Sequence, residues 1–594
     1  MAEEVMLDAQ ISHKAGILPA KILEEGEDIY RFTGKTGSSS FTLTSFPRGL
    51  THRESASEKR KKFRDAEEHG VRRAPAVLVT LQEFIKKERY LKMKRHPKEH
   101  YVREQACMAA FQLHNRVKKH VLGYTDIREL LVNIADLHDY CARGVPRSAT
   151  IAVARLLHKL IIIIGDLAGA IEAKAQGSST TWPSVAERYR RLGSEDPGKL
   201  TTQEIVPSTK YFSTEMVLGK GGFGYVSRVT FGGTVPLAVK LVPLDKQVQP
   251  KYAVVDKIVA CMVNHPLLVK CFCTFRCSSA YVTVMEFVQA IDLLKALRQV
   301  PPPEGPPMFV RQHIIAQLCL ALSYIHFKGF IHRDVKPSNL LLLSGCRLKM
   351  IDFDTVKIGM GKFRNWPMHN FYRRTASEFH DRESAGTRAY FPPEVLLRKA
   401  YGRCIDWWAT GVTLYEMVCG RLPFRADENT SARNNLADVI KRGVFDYPEG
   451  IEVNPCEKDF IKRCLTKKPS ARLCSKGGYE EYRRHVYLKG IDWTNVERSS
   501  TKDWPAFEQL MEHQLENGHT GKHLTPDQRY LSTIELNHDD PLTPPLYTFS
   551  SKGFLKALER VRRNEPILNT DVQDAPEYVE LDIAQEYRFA EFVQ

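Results

Sequence analysis

His332-Arg333-Asp334-Val335-Lys336-Pro337-Ser338-Asn339 gathers a carboxylate, an ammonium and an amide within one short loop. Residue types in that order suit phosphoryl transfer. Asp334 is placed to orient a substrate hydroxyl and accept its proton, Lys336 to neutralise charge developing on the transferred group, and Asn339 to bind a metal ion. The helical run Ile314 to His326 leads into the loop. Downstream, Ile351-Asp352-Phe353-Asp354 brings a second carboxylate at the interval needed to hold Mg²⁺ across the β- and γ-phosphates of ATP, and Gly386-Thr-Arg-Ala-Tyr-Phe-Pro-Pro-Glu394 closes the segment that follows.

Upstream lies a glycine-rich stretch, Leu218-Gly-Lys-Gly-Gly-Phe-Gly-Tyr-Val226. Gly219, Gly221 and Gly224 allow a hairpin backbone to approach phosphate oxygens, because a side chain there would hold it away. Leu218, Lys220, Gly222 and Val226 belong to the same nucleotide-contacting hairpin. The next strand, Leu237-Ala-Val-Lys240, adds Ala238 and a cation for the α- and β-phosphates, Lys240. Glycine spacing alone is weak evidence, and each motif singly has the bland alternative of a surface loop or a core polar residue. Four motifs in one order leave little room for it.

The texture around these motifs sets the fold class. Short β-branched and aromatic runs such as Leu237 to Val242 and Tyr281 to Val288 give way to helices from about 310, which predicts a bilobal α+β arrangement over 211–493.

At Asp406-Trp-Trp-Ala-Thr-Gly-Val-Thr-Leu-Tyr-Glu-Met417 the chain resembles the AGC group of protein kinases, which includes the cyclic-AMP-dependent kinase, protein kinase C and the ribosomal S6 kinases. Lys468-Pro-Ser-Ala-Arg-Leu473, Gly490-Ile-Asp-Trp493 and Phe589-Ala-Glu-Phe592 extend the resemblance to the closing helices and to a terminal aromatic motif. It implies the bilobal eukaryotic protein kinase fold with an AGC-like C-terminal tail, ATP and Mg²⁺ as cofactors, and protein substrates. By the same resemblance Met285 is the gatekeeper, Glu286 to Val288 the hinge, Arg472 the partner of Glu394, and Asp292 and Glu416 the acceptors of basic substrate residues. Lys336 places the match in the serine/threonine branch.

Several positions depart from the family. Asp256 stands where a helix glutamate pairs with the strand lysine, and one methylene shorter it reaches Lys240 only if the helix moves inward. Asp354 replaces the glycine of the metal loop. Glu383 falls where an activating phosphothreonine usually lies and can pair with Arg333. Arg373-Arg-Thr-Ala-Ser377 is a basic-flanked candidate phosphosite, through Thr375 or Ser377.

A chain of 594 residues exceeds one core, so flanking units are expected. Residues 1–60 read as a loosely ordered segment and 61–176 as a helical region in which Ile127, Leu130, Leu131, Ile134 and Leu137 line one face. A linker over 177–210 and a tail over 494–594 complete the organisation. The net charge of +16 is concentrated in 51–104, with 16 Lys/Arg against 9 Asp/Glu. That stretch is either a solvated helical face or a site for an acidic partner or an anionic lipid; nothing selects a specific nucleic acid. No apolar run approaches a membrane span and the acidic start lacks a secretory pattern, so a cytoplasmic chain with access to the nucleus is expected. Cys271, Cys273 and Cys277 read as reduced structural thiols rather than zinc ligands. Three readings remain: a serine/threonine protein kinase preferring basic peptides; given Asp256 and Asp354 together, a pseudokinase scaffold; or a binding module in the helical N-terminal region to which the kinase is an accessory.

Overall fold

The computed structural model describes residues 31–33, 40–42, 75–89, 97–119, 127, 130, 134, 137, 147–176, 211–220, 224–243, 250–276, 280–361, 368–381, 383–425, 432–516, 522–523 and 549–573. They fall in two compact units, Met1–Gln203 with Met360–Pro367, and Glu204–Gly359 with Met368–Gln594.

The first unit contains the paired strands β1 (Arg31–Thr33) and β2 (Ser40–Thr42), and the helices α1 (Pro75–Arg89), α2 (Pro97–Lys118) and α3 (Arg147–Gln176). The three helices pack through Leu81, Phe84, Val102, Ala110, Leu160 and Ile164, all buried, with Ile127, Leu130, Ile134 and Leu137 also helical and buried. Arg103, from the basic stretch, lies in that core between Glu88 and Glu99, its Nη2 3.2 Å from Glu99 Oε1. A guanidinium buried among apolar residues needs such carboxylates. Leu131 and the basic runs 59–64 and 92–95 lie outside the described residues.

The second unit is bilobal. Its small lobe is a seven-stranded antiparallel sheet in which β3 (Phe212–Lys220), β4 (Tyr225–Phe231), β5 (Val235–Pro243), β6 (Cys271–Arg276) and β7 (Ala280–Glu286) stand in the order β3-β4-β5-β7-β6, with a short strand of the tail at each edge. The helix α4 (Pro250–Met262) packs on β6 and β7. Alternation along β5 sends Leu237, Val239 and Leu241 into the apolar core on one face, and Ala238 and Lys240 to the other. Cys271 and Cys273 are buried in β6, Cys273 Sγ lying 3.2 Å from Ser550 Oγ.

A short strand β8 (Ile291–Asp292) and helix α5 (Leu293–Gln299) lead to α6 (Met308–Phe327), the buried centre of the large lobe. Among the described residues α6 is the one helix long and apolar enough to cross a membrane, and it is mostly enclosed by protein. Strands β9 (Phe330–Ile331), β10 (Leu340–Leu343), β11 (Arg347–Met350) and β12 (Lys357–Ile358) carry the loops described below. The remaining helices are α7 (Met368–Thr375), α8 (Pro393–Leu396), α9 (Cys404–Cys419), α10 (Ala432–Arg442), α11 (Pro455–Cys464), α12 (Tyr479–Arg483) and α13 (Pro505–Glu516).

The tail then returns to the small lobe. β13 (Lys522–His523) pairs with β3 and β14 (Phe549–Ser550) with β6, so each edge of the sheet is covered. Helix α14 (Lys552–Arg562), capped by the Ser551 hydroxyl, places Phe554, Ala557, Leu558 and Val561 in the same core as Leu237 and Val239, joined by Ile567 and Val572. The rings of Phe554 and Phe231 stack at 5.0 Å. At Gly232 (φ +59°) a Cβ would lie 2.7 Å from Val561 Cγ2, so the β4–β5 turn needs glycine to admit this helix. Helix α14 thus covers the sheet face opposite Lys240. Phe589 and Phe592 lie outside the described residues.

Candidate active site

The catalytic loop is held by a buried carboxylate. Asp406, in the first turn of α9, accepts hydrogen bonds from the backbone N–H groups of His332 and Arg333, each at 2.9 Å, and lies 2.8 Å from His326 Nε2. Burial works to raise the Asp406 pKa, but these donors hold it below the usual carboxylate value. They also stabilise Arg333 at φ +68°, a left-handed conformation uncommon for a residue with a side chain. Asp352 is held at φ +67° in the same way costly to its backbone.

Asp334 is then surrounded by donors. Lys336 Nζ donates to its Oδ2 at 2.8 Å, Asn339 Nδ2 to the same oxygen at 3.1 Å, and the Thr387 N–H to Oδ1 at 2.7 Å. Lys336 also donates to Thr387 Oγ1 at 2.7 Å, so Thr387 fixes both charged groups. Sequence reasoning missed Thr387 as a site residue, although it sits beside Gly386 in the closing motif. Gly386 is at φ +111°, and a Cβ there would meet Arg333 O at 2.3 Å, which makes the close approach of the two loops depend on glycine.

Lys240 Nζ lies 2.8 Å from Asp352 Oδ1 and 2.6 Å from Asp354 Oδ2. Burial disfavours its charge, but the carboxylates of Asp352, Asp354 and Asp256 more than offset that and hold its pKa well above the ordinary lysine value. Asp352 is pulled below the usual range, chiefly by Lys240 acting against burial, with smaller help from His332 and Lys336. Asp354 goes the other way: burial and its two carboxylate neighbours outweigh Lys240 and push it up to about 7. Lys240 and Asp352 thus meet directly, and Asp352 lies within electrostatic reach of Lys336, the partner of Asp334.

Asp256 corrects an expectation. Its carboxylate does not pair with Lys240; Oδ2 accepts a hydrogen bond from Thr283 Oγ1 at 2.8 Å. The cause is register: Thr283 is the cross-strand neighbour of Lys240 on β7, so its hydroxyl meets the short side chain from α4 first.

For a metal, Asn339 spends its amide nitrogen on Asp334, which leaves its side-chain oxygen as a donor, and Asp352 supplies a carboxylate. Two hard oxygen donors next to a phosphate cleft fit Mg²⁺, which takes few protein ligands and completes its shell with phosphates and water. Among the described residues no cluster of three or more His, Cys, Asp or Glu offers an all-protein cage.

On the nucleotide side, Gly219 pairs across the hairpin with Val226, and Lys220 with Tyr225. Nothing lies within 4 Å of a Cβ at Gly219, whereas at Gly224 a Cβ would meet Leu241 O at 1.9 Å. Gly224 is thus required for packing and Gly219 for access. Gly221 and Gly222 lie outside the described residues. Leu218 is exposed at the cleft rim, and Ala238 is buried opposite Met285. The Glu286 side chain accepts the Lys270 N–H at 2.8 Å and pairs with Lys349 at 2.5 Å, so that side chain is turned to its own fold.

In the activation segment, Glu383 lies 3.5 Å from Arg333 Nη1 and 2.6 Å from Lys357 Nζ, and Lys357 also pairs with Asp381 at 2.6 Å. Thr375 is buried, donates to Phe371 O at 2.8 Å and accepts from Arg403 Nε at 2.9 Å, so it is not a surface phosphosite; Ser377 is exposed. Arg472 pairs with Glu394 through both oxygens, at 2.7 and 3.0 Å. Asp292 caps α5 by accepting the Lys295 N–H at 2.9 Å, and Glu416 accepts from Tyr390 OH at 2.6 Å.

Residues 212–488 match the family model described as the protein kinase domain. The chain is 28% identical over 310 residues to a probable serine/threonine-protein kinase of Dictyostelium discoideum, covering 48% of this chain and 65% of that protein. It is 34% identical over 288 residues to the protein kinase C eta type of Mus musculus, covering 47% of this chain and 38% of the relative. It is also 25% identical over 380 residues to flippase kinase 1 of Saccharomyces cerevisiae, covering 60% and 41%. The chain thus spans less than two thirds of the length of each of these relatives. With the convergent charged residues between two lobes and this match, residues 212–488 form a protein kinase domain similar to those of serine/threonine kinases that include protein kinase C.

Proposed function

We propose that the chain is an ATP- and Mg²⁺-dependent protein serine/threonine kinase of the AGC group that prefers basic peptides. The observation that carries this reading is the constellation Asp334–Lys336–Thr387–Asn339, closed by hydrogen bonds of 2.7 to 3.1 Å. Asp334 keeps an oxygen directed at a substrate hydroxyl and accepts its proton as the oxygen attacks phosphorus in line. Lys336, steadied by Thr387, neutralises charge on the transferred group. Lys240 positions the α- and β-phosphates, and the hairpin around Gly219 closes over them. Asn339 and Asp352 would hold Mg²⁺, which would supply charge neutralisation at the nucleotide phosphates. Glu383 gives the activation segment a standing carboxylate against Arg333. Glu416 and Asp292 line the face that would receive basic side chains, and a cytoplasmic location is part of the same proposal.

Transfer of γ-phosphate to a basic peptide library, compared between wild type and Asp334→Asn, tests the assignment: incorporation should fall at least ~100-fold in the variant. Equal incorporation by both proteins would sink it. The pseudokinase reading is favoured by one observation, the double ion pair that occupies Lys240, and wild-type silence with retained nucleotide binding is its signature.

A further inference from the structure

A lysine that presents its ammonium to phosphates needs a carboxylate that holds it and is not itself required by the metal. Lys240 has three carboxylates near it, and the geometry separates their uses. Asp256 is engaged with Thr283 and makes no ion pair with Lys240. Asp352 pairs with Lys240 at 2.8 Å, but its side chain is 34% exposed, and a metal ion would compete for its charge. Asp354 approaches closest, at 2.6 Å, with a side chain only 5% exposed. A glycine at this position would offer Lys240 nothing.

We infer that Asp354 is the positioning residue for Lys240, so that the anchoring carboxylate of this cleft sits on the metal loop instead of on α4. When Asp352 turns to a metal, Lys240 stays tethered through Asp354 and its ammonium remains aimed at the nucleotide. The substitution of the loop glycine and the shortened acid on α4 then form one exchange. The inference rests on the kinase reading for the use of Lys240, but the placement itself is a statement about nucleotide binding.

The test is calorimetric binding of a non-hydrolysable ATP analogue with Mg²⁺, alongside γ-phosphate transfer, for wild type, Asp354→Gly, Asp354→Asn, Asp256→Glu and the double variant Asp354→Gly/Asp256→Glu. Loss of a charge-assisted contact predicts analogue binding weakened about tenfold in Asp354→Gly, with slower transfer at saturating ATP. Asp256→Glu restores the missing methylene, so the double variant should recover to within about threefold of wild type. Asp354→Asn, nearly isosteric, gives the same measurement if the glycine variant does not fold. Binding and transfer in Asp354→Gly equal to or better than wild type overturn the inference, as does a loss that Asp256→Glu fails to repair. If wild type transfers no more phosphate than Asp334→Asn, the kinase reading fails while analogue binding still decides the role of Asp354; a wild type that binds no analogue overturns both.

Discussion

Glu383 places a carboxylate in the activation segment. Its carboxylate carries less charge than a phosphate, yet it bridges Arg333 and Lys357, and Tyr401 donates to the neighbouring Asp381 at 3.0 Å. Glu383→Lys sets two cations against a third and should reduce phosphate transfer at least ~10-fold; Glu383→Gln, which keeps the shape, should lose less. Steady-state assays of the two variants side by side decide it, and full activity in the lysine variant would count against a role in ordering the segment. His265 gives a pH dependence. Burial, with Lys349 and Lys328, lowers its pKa to about 4, and Glu497 at 3.8 Å does not offset this. Because the folded pKa lies below the unfolded value, the unfolded chain binds the extra proton, so stability is complete above about pH 6.5 and is lost as pH falls toward 4. Between pH 7 and pH 5 wild type should lose up to about 2 kcal/mol more than His265→Gln, measured by denaturant unfolding.

At the level of elements, the parts whose chemistry dictates residue identity were legible in the sequence. The catalytic loop, the metal loop and the Lys240 strand could be placed because few other residues perform those tasks. What was not legible depended on register and packing. Asp256 was assigned to Lys240 by position, but strand pairing delivered Thr283 to it instead. Thr375 read as exposed in a basic loop, and α7 turned its hydroxyl inward to Arg403. Nothing in residues 552–563 says which face of the sheet they cover. That contact is substantial: Phe554, Ala557 and Leu558 are fully buried. Phe554→Ala should destabilise the small lobe by about 3–5 kcal/mol, read from unfolding midpoints, whereas Glu559→Ala on the same helix should change little.

For the whole molecule, the division into two units does not follow the order of the chain. Met360–Pro367 groups with the N-terminal helices, where the Gly361 N–H donates to Gln105 Oε1 at 2.8 Å. A protein lacking residues 1–203 should therefore be cut by protease near Gly361 sooner than the full chain, and Gln105→Ala should move the cleavage rate in the same direction. Unchanged rates in both would show that the grouping has no energetic weight.

The returning tail also bears on biosynthesis. Every residue proposed for chemistry has left the ribosome before Phe549 is made, yet one apolar face of the small-lobe sheet acquires its cover only with Phe554 to Val572. A nascent chain must hold that greasy surface apart from its neighbours while the entire large lobe is translated, a period in which chaperones have something to grip.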